Sequence, residues 1–137
     1  MTRFSRLWKT LLLVSMTAPG VLQAQTGIAC PVIFVNGHAD QDGVDLTFMN
    51  RGKLPLDDLE LYCTSLIDQT TRRSACHAET GIFYPGTPYT IRLSPPQKDT
   101  RSILVSLKSA RLSDGDTWTS NHDQSCRSLK IAVKRKP

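Results

Sequence analysis

The sequence predicts an all-β domain: a single antiparallel β-sandwich of about seven strands, stapled by disulfides and preceded by a cleaved signal peptide. Three observations carry this. Apolar residues alternate with polar ones at period two through most of the chain, turn-forming residues punctuate those runs, and four cysteines follow a basic-then-apolar leader.

The leader comes first. Arg3, Arg6 and Lys9 precede the apolar run Leu11-Leu12-Leu13-Val14, Pro19-Gly20 break it, and Ala24 offers a small residue for cleavage before Gln25. A basic start, a short apolar middle and a small-residue exit are the order of a secretory signal. The run is shorter than the roughly 20 apolar residues of a membrane span. Residues 1–24 are therefore expected to be removed, leaving 25–137 as one domain of 113 residues with a core over 30–134. The expected location is outside the cytoplasm, in the periplasm or the extracellular space.

Charge gives little direction to a partner. The whole chain carries +5, but three of its 17 bases lie in the leader, so 14 remain against 12 acids, or +2. Lys134-Arg135-Lys136 concentrate three of these in a basic tail over 134–137. The tail reads as a solvated terminus, with contact to an anionic surface as the alternative. No basic face interleaved with aromatics is evident, so nucleic acid is not an expected partner.

Cys30, Cys63, Cys76 and Cys126 all follow the leader. An even count in a small exported chain reads as a disulfide framework. Four cysteines allow three pairings. Cys63–Cys76 closing a local loop and Cys30–Cys126 tying the domain ends together is the favoured set, because each bridge then has a distinct purpose. Each is worth about 2–4 kcal/mol, which matters in a domain whose core leaves a narrow surplus over chain entropy.

The strands follow in order. Cys30 to Val35 is nearly continuously apolar. Val44, Leu46 and Phe48 alternate with Asp45, Thr47 and Met49; Leu59, Leu61 and Cys63 alternate with Glu60, Tyr62 and Thr64. Tyr89, Ile91 and Leu93 form a fourth run, and Ile103, Val105 and Leu107 a fifth, which Ala110 to Leu112 extend through a bulge. Leu129, Ile131 and Val133 close the series. Such alternation describes strands with one buried and one wet face. Asn36-Gly37, Asp42-Gly43, Asn50-Arg51-Gly52, Tyr84-Pro85-Gly86, Ser94-Pro95-Pro96 and Asp114-Gly115 supply turn signals. Asp68 to Glu79 is polar and reads as a loop or an irregular edge strand. Trp118, just past a turn, is expected to plug one end of the core.

Two local patterns carry a resemblance. Phe48-Met49-Asn50-Arg51-Gly52-Lys53-Leu54-Pro55-Leu56 is a strand ending in Asn-x-Gly followed by a hydrophobic pair around Pro, and Leu112-Ser113-Asp114-Gly115-Asp116-Thr117-Trp118 is an Asp-Gly turn followed by Trp. With the strand layout they resemble the immunoglobulin-like or fibronectin-type-III-like sandwich of small exported bacterial proteins. The chain departs from the antibody type in having no Trp at the strand-C spacing. The resemblance implies a scaffold and no chemistry.

No motif carries catalysis. Ser125, His122 and Asp123 supply the ingredients of a nucleophilic triad without a G-x-S-x-G elbow or a cysteine-protease signature. Asp40, Asp42 and Asp45, and Asp57, Asp58 and Glu60, are carboxylate clusters. The first has some likeness to a calcium loop but lacks the spacing and the closing Glu, and reads as a solvated hairpin turn. His38, Cys76-His77 and His122 with Cys126 contain soft ligands, but no C-x-x-C or H-x-x-x-H pair, and export favours disulfides over thiolates.

The expected function is a non-catalytic binding or structural module of the bacterial cell envelope. It would contact a protein or a surface polymer through loops or a sheet edge, without a cofactor. Tyr62, Arg72, Arg73, Phe83, Tyr84 and Arg92 are the candidate binding residues, being aromatic or cationic groups on outward strand faces and loops. The alternative is an envelope protein binding copper or zinc through His77, His122 and cysteine.

Overall fold

The computed structural model describes residues 29–67, 70–121 and 126–136. The leader, His122, Asp123 and Ser125 lie outside these residues. Eight strands and no helix make up the described part: β1 (Val32–Asp40), β2 (Gly43–Asn50), β3 (Leu56–Ile67), β4 (Thr70–Phe83), β5 (Pro88–Leu93), β6 (Ser102–Leu112), β7 (Thr117–Thr119) and β8 (Leu129–Ala132). They form two antiparallel sheets. One has the order β1-β2-β5, and the other β4-β3-β6-β7 with β8 also paired to β6. No helix among the described residues is long and apolar enough to cross a membrane.

The period-two residues build one core from both sheets. Val44, Leu46, Phe48, Ile91 and Leu93 come from the smaller sheet, and Leu59, Leu61, Ile103, Val105, Leu107 and Ile131 from the larger. Tyr89, Cys63, Leu129 and Val133, from the same alternating runs, are partly buried against it. Trp118 is 2% exposed, opposite Ala110 on β6. Phe48, Phe83 and Tyr89 pack ring on ring at 5.1–5.9 Å between centroids. Aromatic clusters of this kind add about 0.5–1.5 kcal/mol per pair beyond the area they bury.

Bulges re-aim several strands, and three of these bear on the site, a staple and an expected turn. In β6, Lys108 is the extra residue between Leu107, opposite Leu61, and Ser109, opposite Glu60. The strand then continues to Leu112, as the interrupted alternation predicts. In β4, Cys76 is the extra residue between Ala75, opposite Tyr62, and His77, opposite Leu61. It stands two residues beyond Ser74, which is opposite Cys63, so its side chain lies on the same side as Cys63, and the two form one disulfide. The other joins Cys30 before β1 to Cys126 after β7.

The third bulge corrects an expected turn. Asn36-Gly37 lies inside β1, which bulges between Phe34 and Asn36 and runs on to Asp40. Gly37 is required by a neighbour: a Cβ there would stand 2.3 Å from Ile131 Cδ1. The reversal falls instead at Gln41-Asp42, where Asp40 Oδ1 accepts hydrogen bonds from the backbone N–H groups of Asp42 at 2.8 Å and Gly43 at 3.2 Å. This is the hairpin turn expected of the carboxylate cluster.

Two further segments are specified by the structure. The polar stretch from Thr70 is a long edge strand, one of the two readings it allowed, paired to β3 as far as Phe83. The basic tail is pinned where it begins. Lys134 N–H donates to Ala39 O at 2.9 Å, and Lys136 stands 3.7 Å from Asp42.

Candidate binding surface

The outer face of the larger sheet gathers the most distinctive polar groups. Period two puts Glu60, Tyr62 and Thr64 on the same side of β3, away from the core. Register places Ala75 opposite Tyr62 and Arg73 opposite Thr64 on β4, and Ser106 opposite Tyr62 on β6. Arg73 is thus diagonal to Tyr62, a separation that a long side chain spans. Its guanidinium carbon lies 3.8 Å from the centre of the Tyr62 ring. Lys108 reaches the same ring at 5.7 Å, because the β6 bulge lets it lean over β3.

Charges on this face are unevenly committed. Lys108 Nζ donates to Glu60 Oε2 at 2.9 Å, and that hydrogen bond holds the ammonium above its ordinary pKa. Arg73 meets no carboxylate among the described residues and is exposed. A cation stacked on a ring gains about 0.5–1 kcal/mol at an exposed site, enough to favour one placement of an otherwise mobile side chain.

Beside Arg73 is a hollow of about 520 Å³, lined by Thr64, Leu104, Ser106, Ser120 and Ser128 among others. It opens where β6 changes neighbours. β8 covers Ser102 to Val105, β7 covers Ser109 to Arg111, and neither strand pairs with the residues between. Hydroxyl groups, which both donate and accept hydrogen bonds, share its lining with Arg73, Asn121 and the apolar Leu104, Leu107 and Cys126.

The six sequence candidates are dispersed. Tyr62 and Arg73 meet. Arg72 is exposed one residue away on β4, opposite Ser65 and therefore directed to the other side of the strand. Arg92 lies on the outer face of the smaller sheet, where its guanidinium donates to Asp45 at 2.8 Å, a bond that raises its pKa. Tyr84 is 56% exposed at the β4–β5 turn, and its backbone N–H donates to Tyr89 Oη at 2.9 Å. Phe83 is a correction. It is 6% exposed and belongs to the aromatic core, because β4 ends by turning this residue inward. Thr64, Ser106, Lys108 and Ser128 were not singled out by sequence. Thr64 and Ser106 are marked only by an outward phase common among polar strand residues, Lys108 is the bulge residue of β6, and Ser128 precedes β8.

The soft-ligand alternative changes character. All four cysteines are in disulfides. His77 Nε2 and Glu79 Oε2 are 2.6 Å apart, and His38 Nε2 is 3.8 Å from Asp40. Among the described residues no three His, Cys, Asp or Glu side chains are grouped to hold a metal ion. Asp57 and Asp58 both face Arg111, at 4.0 and 2.6 Å, as ion pairs on the sheet surface.

Comparison with protein-family models and with curated proteins finds no match. Among solved structures, this chain is similar to the X-ray structure of Northeast Structural Genomics Consortium target SoR45. The TM-score is 0.41 and the identity 15%, over 74% of this chain and 81% of that one. Likeness at that level assigns neither a fold family nor an activity.

Proposed function

We propose that this chain is an exported, non-catalytic binding module of the cell envelope that engages its partner through the outer face of the larger sheet. The observation that carries the reading is the Arg73 guanidinium stacked on Tyr62 at the rim of a hydroxyl-lined hollow. Aromatic and arginine side chains held in place at a concavity are the usual anchors of recognition surfaces. Export is supported by the signal-like first 24 residues and by two disulfides, which persist in oxidising compartments.

The scaffold we assign is an immunoglobulin-like sandwich. Strand order supports it: β1-β2-β5 follows the A-B-E order of that fold and β3-β6-β7 follows C-F-G. β4 stands beside β3, where the variable type adds a strand to the same sheet. The staples depart from the antibody pattern, since Cys63–Cys76 joins neighbours within one sheet instead of bridging B to F across two.

Retention on the envelope tests the function. The oxidised mature protein should sediment with envelope fragments of its own cells. Arg73→Ala and Tyr62→Ala should lower that retention about tenfold or more, the scale of a binding hot spot. Arg92→Ala, on the opposite face, should leave it unchanged. Equal retention of Arg73→Ala and the native protein would contradict the reading.

A further inference from the structure

We infer that the occupant of the Arg73 hollow is an acidic sugar unit of an envelope polysaccharide, a refinement that rests on the binding-module reading above. Three features of the site point there.

The first is the lining. Thr64, Ser106, Ser120 and Ser128 offer hydroxyls around an apolar patch at Leu104. A polyol needs partners that can donate and accept, and a sugar ring also presents an apolar C–H face. A docked protein would more often be met by an apolar, aromatic-rich centre with a polar rim. Here the aromatic ring, Tyr62, is overlaid by Arg73 and Lys108, and the hollow mixes hydroxyls with a small apolar patch and has no aromatic residue in its lining.

The second is the charge. Lys108 is held by Glu60, Arg111 by Asp58 and Arg92 by Asp45. Arg73 is at the hollow without a carboxylate among the described residues. Its planar fork matches a carboxylate in two parallel hydrogen bonds, and the ring beneath fixes the plane of the fork. Lys130, opposite Leu104 on β8, adds a second positive charge to the same face. This arrangement suits one carboxylate per binding unit. A phosphate site would instead be expected to present a nest of backbone N–H groups.

The third is size. A hollow of about 520 Å³ falls within the roughly 300–1,000 Å³ of small-ligand sites. It lies on a sheet face and is not a closed cavity, so a polymer could continue past the bound unit.

The test is a titration of the oxidised, isotope-labelled mature protein, followed by amide and Arg Nε–H resonances. The probes are tetragalacturonate, its methyl ester and inorganic phosphate, each added separately. Tetragalacturonate should give saturable shifts at Thr64, Ser106, Ser128 and Arg73. The methyl ester, which keeps the hydroxyls and loses the charge, should bind at least about tenfold more weakly. Arg73→Ala should abolish the shifts, and Thr64→Val, which keeps the strand shape, should weaken them. The inference is overturned by the absence of saturable shifts, by equal binding of acid and ester, or by phosphate binding the same residues as tightly as the sugar acid. The two readings fail separately. Arg73-dependent envelope retention without tetragalacturonate binding overturns the sugar assignment alone, and Arg73-independent retention overturns both.

Discussion

Asn50 Nδ2 donates a hydrogen bond to the backbone oxygen of Phe83 at 3.0 Å, joining the end of β2 to the end of β4 across 33 residues of chain. The same amide nitrogen donates to Leu54 O at 2.8 Å, and Oδ1 accepts from Gly52 N–H at 2.8 Å. Asn50 is fully buried, next in the inward row after Val44, Leu46 and Phe48. Its own backbone oxygen accepts from Gly86 N–H at 2.8 Å. One side chain thus organises both the Asn50–Pro55 turn and the β4–β5 turn.

Asn50→Ala should therefore leave two carbonyls and one N–H without this partner, at a cost of about 2–4 kcal/mol for the set. Asn50→Asp should cost a similar amount, because an ionised carboxylate cannot donate to Leu54 or Phe83. Urea denaturation of the oxidised protein measures both. A loss below about 1 kcal/mol for either variant would contradict this role.

The two disulfides should differ in weight. Cys30–Cys126 closes a separation of 96 residues and Cys63–Cys76 one of 13. On the chain-entropy account, removing the longer closure costs about 2 kcal/mol more than removing the shorter. The paired variants Cys30→Ala/Cys126→Ala and Cys63→Ala/Cys76→Ala, compared by denaturant midpoint, give this difference. The opposite order would mean that the staple on the β3–β4 pair restrains more of the fold than its loop length implies.

Acid should act on the β1–β2 turn. The N–H groups of Asp42 and Gly43 hold Asp40 below the ordinary carboxylate pKa, chiefly through the bond from Asp42. Its folded-state pKa is lower than its unfolded one, so folding favours the ionised form. The stabilisation is complete above the ordinary aspartate pKa and is lost as pH falls through the folded value. Carboxyl NMR should show Asp40 titrating below the ordinary value. Asp40→Ala should show a flatter loss of stability in acid, and titration at or above the ordinary value would contradict the turn geometry.

Local periodicity made much of this fold legible. The inward rows of β2, β3, β5, β6 and β8 follow from alternation alone; the cysteine pairing was one of three that sequence left open, and the structure shows the favoured one, with one short and one long loop closed. Long-range contact was not legible. Gly37 resembles a turn residue until Ile131 is seen against it. The polar sequence around Arg72 and Arg73 resembles a loop, because an edge strand exposed to water needs little apolar side-chain pattern to pair its backbone with β3. Phe83 and Tyr84 are neighbours of similar composition, and only the end of β4 decides that one is core and the other surface. The meeting of Arg73 with Tyr62 depends on the β3–β4 hairpin register, unbroken from the Ile67–Thr70 pair to the Tyr62–Ala75 pair, which polar sequence alone does not mark.

The central claim is that the partner sits on the outer face of the larger sheet. A photo-crosslinking side chain placed at exposed Ala75, opposite Tyr62, reads this directly in intact cells, with Thr90 on the outer face of the smaller sheet as the reference position. The account predicts a crosslinked envelope adduct from Ala75 that disappears with Arg73→Ala, and none from Thr90. An adduct from Thr90 alone, or equal adducts from both positions, would contradict it.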